Sequence, residues 1–182
     1  MKYNHTATSY KVNVLRMKFA SMPENQGVDF DNWVRNQIGM SSEEYDQYLA
    51  HGLDVDTIVK HFLIAAIWAD APEGTNPRVT KEARDWATSF VQNFIGSYTY
   101  TVREVLGMPG YGNHPDIGSP EAAFGHDLYL TCAGHGVGFQ DRKELDQGHD
   151  RLHLGEYLYN EIRQSHQEWH IEPQFYRGWM YL

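Results

Sequence analysis

Between His126 and Arg142 the chain gathers polar side chains of the kind that move protons: His126, Asp127, Thr131, His135, Asp141 and Arg142. An imidazole titrates near neutral pH, and a carboxylate beside it orients the ring and stabilises its charged form. The set therefore offers general acid–base chemistry, with His126, Asp127, His135, Asp141 and Arg142 as candidate catalytic residues. No activated nucleophile or phosphate-cradling loop accompanies them. For that reason the structural reading is preferred: Asp127 pairs with Arg142, and Gly134-His135-Gly136 only closes a turn.

Metal ligation has one weak pair of candidates, His149 and His153, four residues apart as helical chelating pairs are. His166 and His170 repeat the spacing, yet neither pair has a glutamate placed as in HExxH. In a chain with 10 histidines such spacings arise by chance. No cofactor is expected, and a divalent metal enters only as a companion of an enzymatic reading.

These residues need elements to hold them. Tyr10 to Phe19 alternates as a strand does, 22–28 is a loop, and Asp29 to Ile38 has helical spacing ended by Gly39. Ser41 to Glu44 has the form of a capping box opening a short helix to Ala50. Asp54 caps a largely apolar helix over 55–69, and Thr80 caps a helix with Ala83, Trp86, Ala87, Phe90, Val91 and Phe94 on one face. Trp33, Trp68, Trp86, Phe62, Phe90 and Phe94 are assigned to the core. Asp70 to Val79 is a loop. The stretch 107–120, rich in Gly and Pro, is a long irregular loop with Tyr111, Asn113, His114 and Asp116. Asp127 to Cys132 alternates, Gly134-His135-Gly136 turns and Val137 to Phe139 returns, which predicts a β-hairpin. A helix over 152–164 and one or two short strands over 169–182 complete the chain. The expected class is α+β: amphipathic helices packed on a small antiparallel sheet that contains a hairpin near 127–140, all in one domain, with 1–10 flexible.

Gly125 to Arg142 reads GHDLYLTCAGHGVGFQDR. This segment resembles a signature of a family of small proteins of bacteriophages and other mobile elements, of the form GHD, two aromatics, LT, then GHG, GF and DR. Ala65 to Asp70 is similar to the helix-end motif of that family, and the resemblance runs from Asp56 to Ile162. It implies a phage or plasmid source and no mechanism. Cys132-Ala133 stands where a basic–polar pair is usual, and Gln140 where an aromatic is usual. The first 50 residues and the C-terminal tail look like additions specific to this chain.

Composition narrows the partners. The chain has 182 residues, 41% of them apolar and 14% aromatic, enough for a core and unlike a disordered chain. Its longest apolar run, Ile58 to Ala69, is shorter than the roughly 20 residues a bilayer span needs, so no membrane association is expected. With 15 basic residues against 24 acidic and a net charge of −9, phosphate neutralisation is poorly served, so no direct nucleic-acid binding is expected. Cys132 is the single cysteine; it can form no intramolecular disulfide and reads as a small buried apolar residue in a cytoplasmic protein. The leading expectation is a non-enzymatic phage or mobile-element accessory protein that binds a host protein, such as a defence or nucleic-acid-processing factor. The alternatives are a small hydrolase or nucleotide-processing enzyme built on the His/Asp cluster, and a virion or assembly component.

Overall fold

A computed structural model of the chain describes residues 33, 37, 53–113, 118–146, 154–164 and 169–182. The expected flexible segment 1–10, strand over 10–19, loop over 22–28 and capping box at Ser41 lie outside these residues. So does the helix over 29–38, apart from Trp33 and Gln37, which are both helical.

Two helices start where their caps place them. The Asp54 carboxylate accepts the Thr57 N–H at 2.9 Å and opens α1 (Val55–Asp70). The Thr80 hydroxyl accepts the Ala83 N–H at 3.1 Å and opens α2 (Lys81–Ser97). Each satisfies an amide that the first helical turn leaves without a partner. The loop expected over 70–79 includes a two-residue strand, β1 (Arg78–Val79). Helix α3 (Thr99–Gly107) follows α2 after Tyr98 alone.

The predicted hairpin is not a hairpin. Residues Pro120–Ala133 form α4, a helix that begins at Ser119, whose hydroxyl accepts the Ala122 N–H at 3.2 Å, with Pro120 in the first turn. It ends at Gly134, whose φ of +78° is the left-handed cap that glycine supplies without steric cost. The alternation of Leu128 and Leu130 misleads because α4 is buried on almost every side, from Ala122 to Cys132 with only His126 half-exposed. A helix surrounded by protein has no polar face and hence no 3.6-residue period to read. Gly125 lets α4 touch α1: a Cβ there would overlap the Ile58 carbonyl oxygen and lie 2.9 Å from the Phe62 amide nitrogen. The two helices run in the same direction, since Gly125 meets Ile58 while Tyr129 and His135 reach Asp70.

After α4 the chain makes two 3₁₀ turns (Phe139–Asp141 and Lys143–Asp146) and continues into α5 (Leu154–Gln164). The sheet is not at 127–140 as expected; it joins two short strands of the C-terminal tail, where one or two were expected, to β1, and it is mixed and not purely antiparallel. Its order is β1-β3-β2, with β2 (Gln174–Tyr176) and β3 (Trp179–Tyr181) forming a true hairpin and β1 running parallel to β3. Arg177 (φ +49°) and Gly178 (φ +78°) make its two-residue turn, whose twist suits the strands. The class is α+β, with helices dominant.

The core is an aromatic mosaic in which Phe62 meets Tyr129 edge-on with centroids 5.2 Å apart, Trp169 meets Phe94 at 5.1 Å, and Phe124 meets Phe139 at 5.1 Å. Burying each such side chain contributes about 1.5–3 kcal/mol. Phe62, Phe90 and Phe94 are core as expected, but Trp68 is largely exposed and Trp86 partly so. Trp68 sits in the last turn of α1 with its ring in solvent, where helical spacing alone had placed it inside.

Candidate functional site

The change from strand to helix redistributes the polar residues. On a strand Asp127, Tyr129 and Thr131 would share a face; on α4 Asp127 and Thr131 point toward the segment 138–142, while Tyr129 faces α1. Three separate clusters result.

The first centres on a carboxylate sealed inside the protein. Asp127 has no exposure, and its carboxylate accepts the Arg142 Nε–H at 2.9 and 2.8 Å and the Arg142 Nη2–H at 2.5 Å. The Tyr111 hydroxyl donates to its second oxygen at 2.8 Å. Tyr111 arrives from the turn after α3, its amide donating to the Met108 carbonyl, and Arg142 follows the first 3₁₀ turn. Thr131 steadies that turn by accepting the Phe139 N–H at 3.3 Å, and the Asp141 carboxylate does so by accepting the Gly138 N–H at 3.1 Å. Burial pushes the Asp127 carboxyl up from its ordinary value, while Arg142 and Tyr111 pull it back. Hydrogen bonding to Asp127 raises Arg142, and burial holds Tyr111 well above the usual phenol range. A carboxylate so enclosed, with three donors on two oxygens, is a structural anion and not a base open to substrate.

The second cluster lies where α1 and α4 end side by side. His135 Nε2 is 2.9 Å from the Asp70 Oδ2, which also accepts the Tyr129 hydroxyl. Burial, then the bond to Asp70, raises Tyr129 far above the ordinary phenol value, so it stays a neutral donor. Both His135 and Asp70 keep side-chain exposure of somewhat over a quarter. This imidazole–carboxylate pair is open to solvent, and acid–base work is within its chemistry.

The third pairs His61 of α1 with His126 of α4, ring centroids 5.4 Å apart. Burial lowers both imidazoles, Lys60 adding to the effect on His61 and the neighbouring His61 and Arg142 to that on His126, against Asp127. Cys132 is buried, and burial pushes its thiol far up, away from nucleophilic use.

The five candidates therefore do not converge: Asp127 joins Arg142, His135 joins Asp70, His126 joins His61, and Asp141 caps a turn. The pairing of Asp127 with Arg142 was foreseen, across strand ends and not from a helix. Asp70, Tyr129 and His61 were missed as partners. Their signal lay in helical spacing: Asp70 closes the apolar run of α1, and Tyr129 sits four residues after Gly125. His149, His153 and His166 lie outside the described residues. Among the described residues no group of three or more His, Cys, Asp or Glu side chains is placed to hold a metal, and no helix is long and apolar enough to cross a membrane. No protein-family model, no curated protein and no solved structure matches the chain.

Proposed function

We propose that the chain is a non-catalytic binding protein of a phage or mobile element, acting in the host cytoplasm on a host protein. One observation carries this reading: Asp127, the most buried polar group of the signature segment, is saturated by Arg142 and Tyr111, so the motif builds the fold around α4 and leaves recognition to the surface. Exposed aromatic side chains, Trp68 and Tyr176 foremost, supply contact area of the kind that dominates protein interfaces. The resemblance of 125–142 to mobile-element proteins supports a host protein as the partner class. The test is repeated affinity capture from bacterial lysate with the immobilised full chain and with a His126→Gln/His135→Gln variant. One stoichiometric host protein held by both is the expected result. Repeated captures that hold no protein, or a partner lost with the two imidazoles, would overturn the reading.

A second reading rests on the His135–Asp70 distance of 2.9 Å with Tyr129 alongside, an arrangement fit for a general base in a small hydrolase. Hydrolysis of any member of a nucleotide and ester panel that disappears in His135→Gln would favour it.

A further inference from the structure

The C-terminal sheet has two faces of opposite character. Met180 is fully buried and Val79 and Phe175 are half-buried, so one face closes the core. The other carries Arg78, Gln174, Tyr176, Trp179 and Tyr181, all exposed. Register sets them in a row across the strands: Arg78 stands opposite Trp179, and Trp179 opposite Tyr176. Tyr176 is 60% exposed, Tyr181 41% and Trp179 39%, a concentration of aromatic surface that water does not favour.

The arginines are positioned by the rings. The Arg78 guanidinium lies 5.8 Å from the centre of the Trp179 ring, and that of Arg177 lies 5.1 Å from Tyr176. A guanidinium stacked on a ring has lost much of its side-chain freedom while its N–H fork remains open to a carboxylate. The nearby Glu172 carboxylate is engaged by His170 at 3.1 Å. On a chain of net charge −9, this face thus pairs two cations with three aromatic rings.

We infer that this face docks a short, extended acidic peptide segment of the partner, an inference that rests on the reading of the chain as a binding protein. Arg78 and Tyr176, over which Arg177 lies, are two strand spacings apart, about 10 Å. An extended peptide advances about 3.3 Å per residue, so two carboxylates about three residues apart reach both guanidinium groups. The residues between them lie on Trp179 and Tyr176, which favours proline or an aromatic there. Single-stranded nucleic acid also stacks on aromatic rings, but it carries a phosphate at every residue and two arginines neutralise only two of them.

The test is selection of a displayed random 12-residue peptide library on the full chain, with each selected peptide then titrated by fluorescence anisotropy. Selected peptides are expected to be acidic, with two carboxylates three residues apart around an apolar residue. Trp179→Ala or Tyr176→Ala should weaken them about tenfold or more, as loss of an interface anchor does. Arg78→Glu and Arg177→Asn, the latter keeping a residue that tolerates the positive φ of the turn, should weaken them several-fold. Circular dichroism reports whether each variant is folded. No enrichment, enrichment of neutral or basic peptides, or equal binding to folded Trp179→Ala overturns the inference, as does tighter binding of a fifteen-residue oligothymidylate. A host protein captured equally by wild type and Trp179→Ala would remove this face while leaving the binding reading intact.

Discussion

Replacing Arg142 by methionine keeps the apolar stem of the side chain and deletes its charge, leaving the Asp127 carboxylate inside the protein with Tyr111 as its remaining donor. Removing one member of a buried ion pair costs about 3–5 kcal/mol. Arg142 is 34% exposed, so part of its interaction is already screened by water, and about 2–4 kcal/mol is the expected loss at pH 7. In a chain of this length, with about 2–4 °C lost per kcal/mol, a midpoint of loss lowers the melting temperature by roughly 6–12 °C. The variant also acquires a distinctive pH dependence. Without Arg142 the folded Asp127 pKa rises further above its unfolded value of 3.8, so the folded state binds the proton more readily than the unfolded state. Such a carboxyl favours folding most at low pH and loses that advantage as pH climbs toward its folded pKa. The gap between wild type and Arg142→Met should therefore be narrower at pH 5 than at pH 7. Urea denaturation followed by circular dichroism at both pH values measures it. A loss below about 1 kcal/mol at pH 7, or a gap that ignores pH, would refute the account of Asp127 as a buried anion that Arg142 keeps ionised.

Gly125→Ala drives a methyl group into the main chain of α1 at Ile58 and Phe62, where no flexible side chain can yield; a destabilisation of about 1–3 kcal/mol or more is expected in the same urea experiment. His61 and His126 have folded pKa values below the ordinary 6.5, so the unfolded chain binds more protons and stability falls as pH drops below 6.5. His126→Gln should flatten that decline between pH 7 and 5, as melting temperatures across the range would show. Ser119→Ala removes the α4 cap and should cost about 1 kcal/mol. Cys132, buried with its thiol held protonated, should react with a thiol reagent only after urea unfolding, at one equivalent per chain.

Helices α1 and α2 could be read from the sequence because each has a capping side chain next to a patterned run, Asp54 before Val55 and Thr80 before the Ala83 to Phe94 stripe; local chemistry and burial agree there. The tail strands could be read from the alternation of Phe175, Trp179 and Tyr181, although Phe175 faces inward beside Met180 while Trp179 and Tyr181 face out. Helix α4 resisted. Its start and stop signals, Ser119-Pro120 and Gly134, were present, but a segment enclosed by protein carries no polar face, and the pair Leu128 and Leu130 imitates a strand. That error decided the fate of the candidate site. Spacing along the chain identified His126, Asp127, His135, Asp141 and Arg142 as a group, and the pairing of Asp127 with Arg142 was open to anticipation because opposite charges in one segment seek each other. Only the tertiary structure separated the others, since a 100° turn per residue sends Asp127 toward Arg142 and Tyr129 toward Asp70, a residue 59 positions away that no local pattern connects to it.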